Sequence, residues 1–168
     1  DEMKKGHHPK PIVLAQGLAE PYPLSPEVLP LQILRIGNLI VLGIPVELTT
    51  MAGRRLRETI LNILNSSEIN YVALATYANA YSGYVTTKEE YDIQHYEGAS
   101  THFGPYTLIA FQQEFGKLAT AIKEGKAVSV SNILFTEKNI WFVTDEFVTV
   151  DEPDFNLGGV YIFDRRFN

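Results

Sequence analysis

The sequence contains no cysteine and no apolar run long enough to cross a membrane. Without cysteine, disulfide bonds and thiolate metal sites are excluded, although this absence does not distinguish the cytosol from the cell exterior. The longest apolar run, Leu39 to Val46, is far shorter than the roughly 20 residues that a membrane-spanning helix needs. No segment has the charged, apolar and small-residue order of a signal peptide, so we expect any export signal to lie upstream of Asp1.

Basic residues are also scarce. The chain has 14 Lys and Arg against 20 Asp and Glu, which gives a formal net charge of -6. Nucleic-acid binding depends on clustered Lys and Arg side chains that neutralise phosphates. The charge balance therefore argues against a nucleic-acid partner.

What the chain does contain is a normal share of core-forming residues, with 45% apolar and 11% aromatic among 168. This composition predicts one globular domain with a hydrophobic core. Residues Asp1 to Pro30 are rich in proline, lysine and histidine, which predicts an extended segment with a mobile start.

Apolar segments predict an α/β fold in which a mixed β-sheet packs with helices. Leu31–Ile36 and Leu39–Ile44 are β-branched runs separated by Gly37 and Asn38, a pattern typical of a hairpin. From Thr50 to Asn65 the apolar residues recur at helical spacing. We therefore expect two adjacent strands followed by a helix.

Further elements follow along the chain. A short buried strand is predicted at Tyr71 to Thr76. It is followed by a predicted loop from Tyr77 to Tyr84 that leaves the sheet edge, a place where functional residues are common. Thr87 and Glu90 have the spacing of a helix capping box. A second long helix is predicted from Pro105 to a stop at Gly125. Its apolar stripe consists of Leu108, Phe111, Phe115, Leu118 and Ile122.

The last part of the chain, residues 126–168, has three runs that predict strands: Asn139–Thr144, Phe147–Val150 and Gly159–Phe163. We expect this part to be a β-rich extension that completes the same domain. Ile33, Ile40, Leu42 and the stripe on the second long helix predict more apolar surface than one short sheet and two helices can cover. A complementary segment is expected to pack on these residues.

Glu47 is a candidate functional residue because it follows an apolar strand, where an unpaired carboxylate is costly. Two structural interpretations stay open from the residues alone: Glu47 caps or precedes the helix of Thr50 to Asn65, or it pairs with Arg54 or Arg55. Tyr84 taken alone predicts a packed aromatic residue with a satisfied hydroxyl, and Tyr96 an ordinary buried tyrosine.

Other reactive residue types lack a catalytic pattern. Ser82, Ser100 and Thr101 have no Gly-x-Ser-x-Gly context, so turn and cap roles are expected for them. The histidines lack a His-Glu-x-x-His pattern and are not predicted to bind metal. They are His7, His8, His95 and His102. Arg54, Arg55 and Arg57 predict a solvated helix face.

Three motifs carry a resemblance to a known family. They read GIPVELTTMAGRRLR from Gly43, YVTTKEEY from Tyr84 and HYEGAS from His95. In this order they resemble the neutral (non-lysosomal) ceramidases, zinc amidohydrolases that cleave the N-acyl bond of ceramide. The matching blocks run from about Lys10 to Leu118. The resemblance implies that the chain is the second half of a larger catalytic domain, with residues 1–125 forming its C-terminal part.

The resemblance also implies roles for single residues. Glu47 and Tyr84 would be zinc ligands, and Tyr96 would be catalytic, donating a hydrogen bond to developing oxyanion charge. Zn²⁺ is the implied cofactor. The two histidine ligands and the catalytic serine of the family precede the matched region, so an N-terminal segment or chain would supply them.

The implied substrate is ceramide or a related N-acyl lipid, with a secreted or cell-surface location and peripheral contact with a membrane. Val46 and Leu48 stand where the family usually has Gly and Phe, and His95 where Arg is commoner, so we expect substrate preference to be affected. A non-catalytic scaffold or partner-binding fragment of the family is the alternative function.

Overall fold

The computed structural model describes residues 2–21, 23–26, 28–65 and 68–128. The predicted strands at Asn139–Thr144, Phe147–Val150 and Gly159–Phe163 lie outside the described residues. The proposed extension over residues 126–168 is described only as far as residue 128, where the chain forms no helix or strand.

The helices and strands follow one another in a mixed order. The helices are α1 (Glu2–His7), α2 (Thr50–Leu64), α3 (Lys88–Asp92), α4 (Tyr96–Ala99) and α5 (Thr107–Glu124), with a short 3-10 helix at Gln16–Leu18. The strands are β1 (Gln32–Ile36), β2 (Leu39–Ile44), β3 (Glu47–Leu48), β4 (Tyr71–Thr76) and β5 (Tyr84–Val85). The predicted mixed α/β fold is confirmed.

The main sheet has the strand order β1, β2, β4. β1 pairs antiparallel with β2, with Ile33 opposite Leu42, and the predicted hairpin turns at Gly37 with a positive φ of 59°. β2 pairs in parallel with β4, with Ile40 opposite Val72. Parallel pairing requires a crossover, and α2 supplies it.

The long helix α2 begins where the sequence predicts. Thr49 is its N-cap, and the Thr49 hydroxyl accepts a 3.3 Å hydrogen bond from the Ala52 amide. Gly53 allows the helix to lie close to the sheet, because a Cβ there would be 3.2 Å from Leu74 Cδ1. The buried face of the helix consists of Ala52, Gly53, Leu56, Ile60 and Leu64.

Helix α5 packs against α2 and ends at Gly125, which adopts the left-handed conformation with a φ of 62°. The predicted apolar stripe is confirmed, since Leu108, Phe111, Phe115 and Leu118 are buried. Gln112 donates a 2.8 Å hydrogen bond from Nε2 to Thr59 Oγ1 across the two helices. The helix starts at Thr107, two residues after the predicted Pro105, because residues 105 and 106 form a turn.

Two expectations were wrong: that Ile33, Ile40 and Leu42 need a further segment to cover them, and that the strand at Tyr71 to Thr76 is buried. Ile33, Ile40 and Leu42 are fully buried inside the described chain, because α2 and α5 cover that face of the sheet. The opposite sheet face is the open one, with Ile36 64% exposed and Tyr71 63% exposed. β4 is accordingly half-exposed rather than buried.

The N-terminal segment is also more ordered than predicted. Residues 2–7 form α1, and His7 Nε2 lies 2.8 Å from the carbonyl oxygen of His102. A contact this distant in sequence has no local signal. No helix in the described part of the chain is long and apolar enough to span a membrane.

Candidate active site

The site is built on the two-stranded parallel sheet of β3 and β5. β2 ends at Ile44, and Pro45 follows it, a residue that has no amide hydrogen to continue a ladder. Glu47 and Tyr84 are register partners across β3 and β5. The Glu47 amide donates a 3.0 Å hydrogen bond to the Gly83 carbonyl, so both side chains lie next to each other on one face.

Gly83 controls how β5 enters this sheet. Its φ is +80°, and an added Cβ would be 2.7 Å from the Ser100 carbonyl oxygen and 2.8 Å from the His102 ring. Only glycine combines this conformation with this close approach. The Tyr84 amide in turn donates a 3.0 Å hydrogen bond to the Ser100 carbonyl, which fixes Tyr84 against the end of α4.

Residues 77–83 form the loop between β4 and β5, and main-chain hydrogen bonds hold it along residues 44–46. The Tyr77 amide donates to Val46 at 3.2 Å, Ala78 to Ile44 at 3.0 Å and Ser82 to Pro45 at 3.0 Å.

Tyr77 and Asn79 have positive φ angles of 59° and 63°, which are uncommon for residues other than glycine. The Asn79 amide group also donates to Gln32 Oε1 on β1. The loop is therefore held in one conformation beside Glu47.

Two tyrosines of this loop, Tyr77 and Tyr81, and Tyr84 of β5 surround the Glu47 carboxylate. The Tyr81 hydroxyl donates a 2.7 Å hydrogen bond to Glu47 Oε1, and the Tyr81 ring stacks on Tyr77 with centroids 5.9 Å apart and planes 8° from parallel. Hydrogen bonds from Tyr77, Tyr84 and Tyr81 lower the pKa of Glu47 below its usual value. Glu47 is thus held as a carboxylate.

The same hydrogen bonds raise the pKa of each tyrosine, because a phenolate would repel the carboxylate it now contacts. The bond to Glu47 and burial raise the pKa of Tyr81 to about 12. The pKa of Tyr84 is raised further by the same two causes. All three phenols therefore act as hydrogen-bond donors to Glu47 in the described arrangement.

Tyr96 is the first residue of α4 and is 72% exposed. Its ring contacts the Tyr84 ring edge to face, with centroids 5.6 Å apart and planes at 80°. The interpretation of Tyr96 as an ordinary buried tyrosine is wrong. The structure places Glu47, Tyr84 and Tyr96 side by side at one surface.

Glu47 precedes α2, but the interpretations in which it caps that helix or pairs with Arg54 or Arg55 are wrong. Thr49, not Glu47, caps α2, and Arg55 pairs with Glu89 at 2.8 Å. Arg54 contacts the sulfur of Met51. Glu47 has tyrosines for partners instead.

The polar residues for which a structural role was expected have one. Ser100 is the C-cap of α4, and Ser82 bonds Pro45 in the loop. The Thr101 hydroxyl donates to Glu97 O at 2.9 Å. Arg57 is only partly solvated, because its Nε donates a 2.9 Å hydrogen bond to the carbonyl oxygen of Val72.

Sequence reasoning missed Tyr77 and Tyr81, which hold the Glu47 carboxylate. The available signal was the recurrence of tyrosine at positions 77, 81 and 84 within a loop otherwise made of small residues. Val46 is fully buried, and it is not among the residues with a positive φ.

The Glu47 carboxylate and the Tyr84 hydroxyl place oxygen atoms next to each other. Oxygen donors of this kind fit a divalent cation. A carboxylate oxygen is a normal zinc donor, and a phenol oxygen beside it adds a second oxygen. Within residues 2–21, 23–26, 28–65 and 68–128, no group of three or more His, Asp or Glu side chains is arranged to hold a metal ion.

Comparison with known proteins identifies the family of the chain. The sequence model of the family described as "Neutral/alkaline non-lysosomal ceramidase, N-terminal" matches residues 1–113. The match covers more than half of the chain, so the chain belongs to the neutral ceramidase family. Its placement in the C-terminal half of a catalytic domain stays a prediction.

Particular relatives cover different shares of the chain. Neutral ceramidase B of Dictyostelium discoideum is 46% identical over 165 residues, which are 95% of this chain and 23% of that protein. Neutral ceramidase of Oryza sativa subsp. japonica is 52% identical over 128 residues, 73% of this chain and 16% of that protein.

A solved structure of neutral ceramidase from Pseudomonas aeruginosa has a similar fold, with a TM-score of 0.75 at 45% identity. The comparison covers 79% of this chain and 21% of that one. The chain thus spans about a fifth of the length of the relatives it matches.

Proposed function

We propose that this chain forms part of a zinc-dependent amidohydrolase that cleaves the N-acyl bond of ceramide, or of a related N-acyl lipid, to a fatty acid and a sphingoid base. The observation that carries the proposal is the pairing of Glu47 and Tyr84 across β3 and β5, with the Tyr96 phenol beside them. Membership of the neutral ceramidase family supports the reaction class.

In this proposal Glu47 and Tyr84 hold the zinc ion. When bound, zinc supplies Lewis acidity toward the amide carbonyl and lowers the pKa of a water molecule. Tyr77 and Tyr81 orient the Glu47 carboxylate and keep it ionised, as their hydrogen bonds do here. Tyr84 is held by its backbone bond to Ser100.

Tyr96 takes the catalytic role of hydrogen-bond donor. Amide cleavage places negative charge on the carbonyl oxygen, and a phenol that is already positioned stabilises that charge without reorganising. The edge-to-face contact with Tyr84 holds the Tyr96 ring, while its exposure leaves the side chain open to a substrate. Tyr96 thus needs no movement of the main chain to act.

The remaining zinc donors and the catalytic serine are proposed to come from an N-terminal segment or chain, so that this sequence would form the second half of the catalytic domain. The open face of the main sheet supports such a neighbour. Sheets with parallel strands are normally covered on both faces, and here the second face is apolar and open. It consists of Leu34, Ile36, Leu39, Val41, Tyr71, Ala73 and Ala75.

The deciding experiment is ceramide hydrolysis by the longer enzyme that contains this chain, with zinc content measured on the same samples. We expect a chelator to abolish turnover, zinc to restore it, and Glu47→Gln to lower both zinc content and rate. Glu89→Gln is the matched control, because Glu89 is an exposed carboxylate paired with Arg55 away from this site. Full zinc content and full rate in Glu47→Gln would contradict the proposal.

The 168-residue chain alone is expected to be inactive, because it supplies only two of the proposed zinc donors. Turnover of ceramide by the purified chain, sensitive to a chelator, would refute this expectation. A non-catalytic scaffold, the alternative function, predicts no hydrolysis even in the longer protein. Location outside the cell or at its surface, and peripheral contact with a membrane, are part of the same proposal and rest on the family resemblance alone.

A further inference from the structure

Glu90 connects the two chain segments that carry the proposed zinc donors. Its Oε2 accepts a 2.6 Å hydrogen bond from the Thr49 hydroxyl and a 2.8 Å hydrogen bond from the Thr87 amide. Thr49 directly follows β3, which carries Glu47, and Thr87 lies two residues after β5, which carries Tyr84. One carboxylate oxygen therefore joins the two segments just beyond the place where they pair.

The ladder between β3 and β5 is short. The Glu47 amide donates to the Gly83 carbonyl at 3.0 Å, and the Thr49 amide donates to the Val85 carbonyl at 3.1 Å. After Thr49 the chain enters α2, and after Thr87 it enters α3, so the two segments separate. The hydrogen bonds to the carboxylate span this point of separation, where so short a ladder opens most easily.

The Glu90 side chain is itself held at the start of α3. The Glu90 amide donates a 3.1 Å hydrogen bond to Thr87 Oγ1, which completes the capping box of that helix. A capping box uses the carboxylate for one hydrogen bond, from the amide of its own N-cap residue. The hydrogen bond from Thr49 is additional, because it comes from a residue 41 positions away that caps a different helix. The carboxylate therefore does more than cap α3.

Thr49 is held from both sides. Its Oγ1 accepts a 3.3 Å hydrogen bond from the Ala52 amide and donates its own hydrogen to Glu90. A hydroxyl that accepts one hydrogen bond and donates another has a fixed orientation, and hydrogen bonds in a chain strengthen one another. Thr49 and Glu90 are both half-buried, so water competes less for these bonds. The starts of α2 and α3 thus share one hydrogen-bond network centred on Glu90.

The spacing of Glu47 and Tyr84 depends on this network. Side chains in register on neighbouring strands keep a fixed spacing only while the strands stay paired. Thr49, Glu90 and Tyr84 also line one cavity of about 390 Å³, which places the network beside the Tyr84 side chain. A site whose donors are already positioned binds its ligand more tightly than one that must be assembled on binding.

We propose that Glu90 is a positioning residue for the proposed zinc site. By joining Thr49 to Thr87, its carboxylate keeps β3 and β5 paired and holds the oxygen atoms of Glu47 and Tyr84 in one arrangement. In this role Glu90 acts through the main chain of the two strands. The inference rests on the proposed zinc-dependent function.

The first test measures zinc affinity in the longer enzyme, which is stripped of metal and titrated with zinc against a competing chelator. We expect Glu90→Ala to raise the zinc dissociation constant about threefold to tenfold, because the paired arrangement is then populated in about a third to a tenth of the molecules. Glu90→Gln removes the same charge but keeps an acceptor oxygen, so it should restore most of the affinity. Glu89→Ala is the matched control, since Glu89 pairs with Arg55. An unchanged affinity in Glu90→Ala would overturn the proposal.

Two variants of Thr49 separate positioning from helix capping. Aspartate caps a helix at least as well as threonine, but an ionised aspartate has no hydrogen to donate to Glu90. Thr49→Asp should therefore weaken zinc binding, although an added negative charge by itself would favour a cation. Thr49→Ser keeps the donor and should bind zinc like the wild type. Equal affinities in the two variants would show that the network only caps the helices, which would refute the proposal.

A general loss of stability is tested with Thr107→Val. This change removes a buried 2.7 Å hydrogen bond to the Gly104 carbonyl at the start of α5, so the unfolding midpoint should fall. The zinc affinity should stay at the wild-type value, because the hydrogen bonds of Glu90 are retained. If Thr107→Val weakened zinc binding as much as Glu90→Ala, the effect would be one of overall stability and the positioning role would be wrong.

The last test needs neither zinc nor turnover. Hydrogen exchange in the metal-free enzyme, measured by mass spectrometry, reports the opening of the ladder through the Glu47 and Thr49 amides. The peptide that contains them should exchange faster in Glu90→Ala than in the wild type and in Glu89→Ala, and unchanged exchange would overturn the proposal. If the enzyme binds no zinc and hydrolyses no amide, yet this peptide exchanges faster, the proposed function fails and the role of Glu90 in pairing the strands stands.

Discussion

Glu47 and Tyr84 are brought together by two main-chain hydrogen bonds, from the Glu47 amide to the Gly83 carbonyl and from the Thr49 amide to the Val85 carbonyl, along two strands of two residues each. Strands this short have little stability of their own. Their pairing therefore depends on the neighbouring contacts of Gly83 and Tyr84 with Ser100.

Tyr84→Phe and Tyr96→Phe should have different effects in the longer enzyme. Tyr84→Phe removes a proposed metal donor, so zinc content and activity should fall together. Tyr96→Phe removes only a hydrogen bond to the transition state, so zinc content should stay near wild type while kcat falls on the order of 10²–10³-fold. Metal analysis and steady-state rates on both variants measure this. Equal zinc content in the two variants would contradict the assigned roles.

Gly83→Ala should disrupt the site, and Gly37→Ala is its matched control. Both glycines have positive φ, but a Cβ at Gly37 meets no atom within 4 Å, whereas one at Gly83 meets Ser100 and His102. Gly37→Ala should cost about 1–2 kcal/mol, the penalty of the left-handed conformation alone. Gly83→Ala should cost clearly more, as measured by urea unfolding, and equal losses would show that the close approach to Ser100 is relieved cheaply.

Glu90 should contribute more to stability than its neighbour Glu89. Glu90 completes the capping box of α3 with Thr87 and accepts a bond from Thr49, the N-cap of α2. Glu90→Ala should therefore cost about 1–2 kcal/mol. Glu89→Ala removes only an exposed ion pair with Arg55 and should cost a small fraction of that. Thermal unfolding of Glu90→Gln, which can still accept both bonds, should lie between Glu90→Ala and wild type.

Stability should fall as the pH drops from 7 to 5 because of His102. Burial lowers the pKa of His102 below its usual 6.5, so the unfolded chain takes up the proton more readily than the folded chain. The neutral His102 ring makes its full contribution to the free energy of unfolding above about pH 6.5. That contribution is lost as the pH falls through the pKa of His102 in the folded protein. The slope can reach no more than about 1.4 kcal/mol per pH unit, the limit for one proton. The denaturation midpoint of His102→Gln should change less between pH 7 and 5 than that of the wild type. An unchanged pH dependence would show that another group causes the loss of stability.

The elements that depend on local pattern were predictable. The Gly37–Asn38 turn, the spacing of Leu56 and Ile60 on α2 and the capping box at Thr87 each follow from residues a few positions apart. The parallel pairing of β3 with β5 joins residues 37 positions apart, from Glu47 to Tyr84, and nothing in the local sequence specifies it.

The candidate site was predictable only through family motifs, which named Glu47, Tyr84 and Tyr96. The support for Glu47 from Tyr77 and Tyr81 depends on the path of the 77–83 loop over residues 44–46, a non-local contact. The order of the N-terminal segment likewise depends on the contact of His7 with His102, which proline content does not reveal.

The bonds that hold residues 77, 78 and 82 along the β2–β3 connection are all made by main-chain atoms. Such bonds form whatever side chain the residue carries, proline excepted. Over evolutionary time, side chains such as that of Ala78 can therefore be exchanged while the loop keeps its path. A family built on this connection can vary the side chains of the loop without displacing the carboxylate of Glu47.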